Sequence, residues 1–227
     1  MLLIKLLIIS LCFGCKPENG TFEIIDFPDH PDTTQNNSPV QQDTLKLDFK
    51  YSKVKGCDGQ FYIDPKTSPF VLPFKVGQTF QTGLTNCSSS YHASGQPDQY
   101  AFDFDMPVNT EFIASRAGTV TYVENSQPSG GGGTGNYIYI NHHDGTYGVY
   151  LHSPKDGIQV KVGDEVKEGQ VLGVTGKSGL AGYPHLHFIV VKSPPNWPYK
   201  GIAVSFNNSQ PLDVPLKSYT NYKAVKK

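Results

Sequence analysis

The stretch Tyr183-Pro184-His185-Leu186-His187-Phe188-Ile189-Val190-Val191 constrains the fold more than any other. A β-strand sends alternate side chains to opposite faces. Leu186, Phe188 and Val190 therefore share one face, suited to a core, while His185 and His187 share the other. Gly182 and Pro184 fit a turn at the entry to the strand. Imidazole nitrogen is a good Zn²⁺ ligand, and a strand is a rigid mount for one. Alone, the pair fits two solvated strand histidines as well, so the other five histidines bear on the choice.

The same alternation recurs. Tyr100, Phe102 and Phe104 fall on one face of a predicted strand, and Ala101, Asp103 and Asp105 on the other. Tyr137 to His142 and Tyr147 to His152 flank Asp144-Gly145, a strong hairpin signal that puts His142 and His152 on neighbouring antiparallel strands. Short strand patterns also cover Leu45–Tyr51, Thr110–Val123 with a break at Ala117-Gly118, and Val160–Thr175. Phe70–Phe74 reads as a further strand with Pro73 at an edge or entry. Helix-periodic runs are hard to find, and glycine (23) and proline (17) are frequent, so the expected class is mainly β. Residues 126–136 read as a mobile loop. Its glycines make no phosphate cradle, because no Lys-Ser/Thr follows. A formal net charge of −1 argues against a nucleic-acid partner.

Residues 1–14 read as an export signal whose apolar run, Leu6–Phe13, is too short to span a membrane. Gly14-Cys15 resembles a lipoprotein cleavage site, with Cys15 as the lipidated first residue; a plain secretory signal is the alternative. Residues 15–48, rich in Pro, Asp, Asn, Thr and Gln, read as a disordered tether. The folded domain is expected over 49–215, with its core at about 70–191 and a tail at 216–227, the last twenty residues wrapping the outside. Cys57 and Cys87 are the only cysteines after Cys15; they are expected to pair in an oxidising compartment, the alternative being two free buried thiols.

The chemistry-bearing residues are His92, Asp103, His152, His185 and His187. Three of them would make a His₂-carboxylate zinc site with an open position, leaving two imidazoles to handle protons. No serine lies in a nucleophile-elbow pattern, and the helix-borne His-Glu-x-x-His zinc motif is absent.

The pieces that combine are His92, Asp103-Phe104, Met106-Pro107, Gly118-Thr119-Val120, the Gly-rich loop ending at Asn136, Tyr150-Leu151-His152, Gly163 to Gln170, and Pro184-His185-Leu186-His187-Phe188. In this order, from about Phe70 to Val191, the chain resembles the lysostaphin-type (LytM-like) zinc endopeptidases of bacterial cell walls. The resemblance implies a compact antiparallel β-sheet or sandwich domain with a groove. It implies one Zn²⁺ held by His92, Asp103 and His187, catalytic imidazoles at His152 and His185, and Asn136 and His142 along the groove. The commonest family pattern has its first ligand four residues before the aspartate, where this chain has Gln99. His92 serves only if the loop between them folds back; His142 and Asp105 are the runner-up ligands, His142 being expected rather to support the groove or pack within the sheet. The implied activity is hydrolysis of peptide bonds in peptidoglycan stem peptides or cross-bridges. It would come from an exported monomer, periplasmic or at the cell surface, tethered to the membrane by lipid. Two other classes stay open at this point: a non-catalytic module that binds cell wall or activates an amidase, and, on turn similarity alone, a carrier domain.

Overall fold

The computed structural model describes residues 48–195 and 198–227. The expected export signal, Cys15 and the tether up to residue 47 lie outside the described residues. Among the described residues thirteen strands follow one another: β1 (Tyr51–Lys55), β2 (Phe61–Ile63), β3 (Thr79–Thr82), β4 (Phe102–Asp105), β5 (Glu111–Ile113), β6 (Gly118–Glu124), β7 (Asn136–Asn141), β8 (Thr146–Ser153), β9 (Glu165–Val166), β10 (Val171–Val174), β11 (Leu186–Lys192), β12 (Ser209–Gln210) and β13 (Asn221–Ala224). Among the described residues the only helix is a 3₁₀ turn at Ser90–His92. Nine strands form one antiparallel sheet in the order β12-β13-β3-β4-β11-β8-β7-β6-β9. The mainly-β antiparallel class expected from the sequence is the one observed.

The His-x-His strand, β11, lies inside this sheet between β4 and β8. Leu186, Phe188 and Val190 pack with Phe102, Phe104, Ile138, Ile140 and Tyr150 in the main core. The β5–β10 ribbon closes over that face with Phe112 and Leu172. The opposite face is also covered, since Ile189 and Val191 join Ala101, Tyr139, Val149 and Tyr199 in a second cluster. A strand buried on both faces reads as a continuous apolar run, which is what Phe188–Val191 supplies. His185 and His187 therefore stand at the entrance of a strand clamped from both sides.

Three expectations are corrected. Of the predicted strand Leu45–Tyr51, residues 45–47 lie outside the described residues, and among the rest strand pairing begins at Tyr51, with β1 against β2. Phe70–Phe74 forms no strand. Its backbone bonds are met singly, Val71 N–H by Ser115 O and Leu72 N–H by Asn208 Oδ1, while Phe70, Leu72 and Phe74 are fully buried. The residues after 215 do not wrap the outside. β13 pairs with β3, and Leu216, Tyr222 and Ala224 enter the main core. Cys57 and Cys87 are joined, with Cα atoms 5.8 Å apart, which fastens the β1–β2 turn to the segment leading to His92. A cross-link closing a loop of this size stabilises by roughly 3–4 kcal/mol in the chain-entropy model.

Candidate metal and catalytic site

Register brings the first two groups together. His187 on β11 lies opposite Asp103 on β4, and directly opposed residues project from the same face. His187 Nδ1–H donates to Asp103 Oδ1 at 3.0 Å. His185, two residues earlier on the same face, brings Nε2 to 3.6 Å from that oxygen. On the other flank of β11, His152 near the end of β8 packs its ring 4.7 Å from that of His185 and 5.8 Å from that of His187. His152 has φ 79°, in the left-handed region. For a residue with a side chain this costs of order 1–3 kcal/mol and persists only where the surroundings enforce it.

Ser178 does the enforcing. Its carbonyl accepts from His152 Nδ1 at 2.8 Å, and its hydroxyl donates to Ser153 O at 2.6 Å. The Gly-rich loop is tied down beside it, with Gly130 N–H on Lys177 O and Leu180 N–H on Gly133 O, so the expected mobile loop is anchored. At the crossing, a Cβ on Gly135 or on Gly179 would stand 2.6 Å from the facing backbone, and both have positive φ, so glycine is required at each.

His92 completes the cluster by the detour the sequence demands. The 3₁₀ turn Ser90–His92 aims the ring inward, Nε2 reaching 3.4 Å from Asp103 Oδ1 with the ring edge against His187. Cys87 N–H donates to Gln99 O, closing the base of the loop. Gln99, at the usual ligand position, instead takes Gly95 N–H on Oε1 and donates to Asp58, so it holds the loop that returns His92.

The charges follow from burial and contact. Burial opposes ionisation of Asp103, but hydrogen bonds from His187 and His92 outweigh it and hold the carboxyl well below the usual range. Burial would likewise push His187 down, but its hydrogen bond to Asp103 and the nearby charge of Asp98 push it up to about 10. Burial lowers His152 to about 3, aided by charge on His185 and His187, and burial also lowers His185. The Nδ1 atoms of His152 and His185 donate to the carbonyls of Ser178 and Tyr183, so each neutral ring keeps its lone pair on Nε2.

A dication fits this place. His92, Asp103 and His187 offer ligand atoms within 4.8 Å of one another, as do His152, His185 and His187. The first set combines two imidazoles and a carboxylate, a donor set suited to zinc. A cation there would supply the positive charge that the His187 proton provides beside Asp103.

The other expected site residues sit elsewhere. Asn136 is fully buried, accepting from Gln127 N–H and donating to Gln127 O and Ser153 O, so it braces the end of β8 and does not line an open groove. His142 stands at the opposite end of the β7–β8 hairpin from His152, its ring against Phe70 and its Nδ1 on Ala117 O, with burial lowering it to about 4. It is a packed core histidine, outside the cluster. Asp105 is not in either metal-capable set. Ser178 and Tyr183, which orient the two imidazoles through backbone carbonyls, had no side-chain signal to reveal them.

Residues 98–204 match the family model described as peptidase family M23. The chain carries a peptidase family M23 domain. The chain is 34% identical over 127 residues to the peptidoglycan DD-endopeptidase ShyA of Vibrio cholerae, covering 55% of this chain and 26% of that protein. It is 40% identical over 90 residues to lysostaphin of Staphylococcus staphylolyticus, covering 39% of this chain and 18% of that protein. The chain thus spans less than a third of the length of these curated relatives. A crystal structure of a mutant catalytic domain of the prophage-encoded M23 protein EnpA from Enterococcus faecalis shares 26% identity, with a TM-score of 0.45 over 56% of this chain and 92% of that one.

Proposed function

We propose that the chain is a zinc-dependent endopeptidase cutting peptide bonds in peptidoglycan stem peptides or cross-bridges, in keeping with relatives such as the peptidoglycan DD-endopeptidase ShyA. The observation that carries the reading is convergence: imidazole nitrogens of His92, His185 and His187 lie 3.4, 3.6 and 3.0 Å from one oxygen of a buried Asp103, with His152 alongside. In this reading His92, Asp103 and His187 hold one Zn²⁺. When bound, the metal would supply Lewis acidity toward the scissile carbonyl and a water nucleophile usable near neutral pH. His152 and His185 work through Nε2. Each is neutral, so either can take the proton of the attacking water and return it to the leaving amine, and the protonated ring can steady negative charge on the carbonyl oxygen.

Purified protein loaded with zinc is expected to release new amino termini from muropeptides. Chelation should stop this, and His152→Ala or His185→Ala should slow it at least about 100-fold, the lower range for general acid–base catalysis. Intact muropeptides after incubation with protein of confirmed zinc content would overturn the hydrolase reading.

The same proposal places the chain outside the cytoplasm as a monomer, exported by residues 1–14, lipidated at Cys15 and spaced from the membrane by residues 15–48. Cells fed a labelled fatty acid are expected to label the wild type and not Cys15→Ala. An unlabelled wild type would remove the anchor and leave plain secretion.

A further inference from the structure

We propose that Asp98 is a positioning residue for the metal, accepting the Nε2–H of His187 and so fixing the tautomer that ligates through Nδ1. The inference rests on the zinc reading above. His187 Nδ1 faces Asp103, and Nε2 looks the other way, 3.7 Å from Asp98 Oδ1. Both of these atoms are buried, and neither has a hydrogen-bond partner among the described residues. The Asp98 side chain is only 15% exposed. Its backbone carbonyl accepts from Ala101 N–H at 2.8 Å, a turn that holds the residue over the start of β4.

The chemistry requires such a partner. A neutral imidazole carries one proton, so ligation through Nδ1 leaves the proton on Nε2. A buried N–H without an acceptor is costly, and ligating histidines characteristically give their other N–H to a carboxylate, a carbonyl or water. Before the metal enters, the Nδ1 proton bridges to Asp103. Ligation releases that proton from the imidazolium to solvent and leaves the other on Nε2, which faces Asp98 Oδ1 at 3.7 Å. The two imidazole ligands differ here: the distal Nδ1 of His92 is also buried and unpartnered, but no carboxylate stands behind it among the described ion pairs. Asp98 therefore acts on one ligand specifically, by orientation and by raising the basicity of its ligating nitrogen.

The test measures zinc affinity of the full chain by competition with a chromophoric chelator, for wild type, Asp98→Asn and Asp98→Ala. Asp98→Ala is expected to bind zinc roughly 10–100-fold more weakly, as for loss of an outer partner of a ligating histidine. Asp98→Asn keeps an acceptor oxygen without the charge and should fall in between. In zinc-loaded wild type, imidazole-selective NMR should show a protected, downfield Nε2–H for His187, which shifts upfield in Asp98→Asn. That signal decides the matter if Asp98→Ala fails to fold. Wild type that binds zinc, with both variants unchanged in affinity and signal, overturns the role of Asp98 alone. Wild type that binds no zinc overturns this inference and the metal reading together.

Discussion

His187→Ala is expected to emerge from purification with its zinc lost and its hydrolytic activity gone. His187 is the one residue common to both metal-capable sets, so no regrouping of the remaining side chains restores three ligands at the same place. Loss of even an outer partner lowers metal affinity roughly 10–100-fold, so loss of the ligand itself should exceed about 100-fold. The metal-free protein should suffer too. Asp103 is 5% exposed and would keep its charge without its closest imidazole, and breaking a buried pair costs about 3–5 kcal/mol. Elemental analysis and chelator competition read the first effect, and denaturant melts without metal read the second. One zinc retained per His187→Ala chain would mean the ligands are others, and the proposed site would have to be abandoned.

Removing residues 216–227 is expected to unfold the domain. The deletion strips the pairing partner from β3, whose other neighbour is β4, the strand that bears Asp103. It also takes Leu216, Tyr222 and Ala224 out of the main core. The Tyr222 hydroxyl, meanwhile, donates to Asp213 and accepts from Lys217 N–H, so its loss frees polar groups as well. Tyr222→Ala alone should cost about 3–5 kcal/mol, or roughly 6–20 °C in melting temperature. A domain with about 5–15 kcal/mol in total has little left once the whole segment is gone. A chain ending at residue 215 that melts cooperatively near the wild-type temperature would show that β13 is ornamental.

What could be read from the sequence was local and periodic. β11 and β4 declared themselves because alternate residues are apolar and chemistry-bearing, and a period of two assigns both faces at once. The convergence of Asp103 with His187 was legible only through the family resemblance, because the pairing of β4 with β11 joins segments far apart in the chain. β13 stayed hidden because four residues, Asn221–Ala224, offer only two inward side chains, too few to separate a strand from coil. For His142 the hairpin pattern gives the right neighbouring strands but not their ends: antiparallel register sends it and His152 to opposite ends, so of the two expected roles it packs within the sheet and does not reach the groove. Asp98 lies among turn residues, where a carboxylate reads as solvated, and its burial is set by what β11 brings against it.

The loop from Cys87 to Gln99 separates two quantities that a sequence motif treats as one. Its ends are fixed to each other by Cys87 N–H on Gln99 O, and its first residue is stapled to Cys57. Where an imidazole lands then depends on this closed frame, and the number of residues travelled to reach the landing point is free to drift. Fixed-interval searches for a histidine ahead of an aspartate would pass over proteins built this way, while a search for the frame, two anchored ends and one inward-turned ring, would find them at any interval.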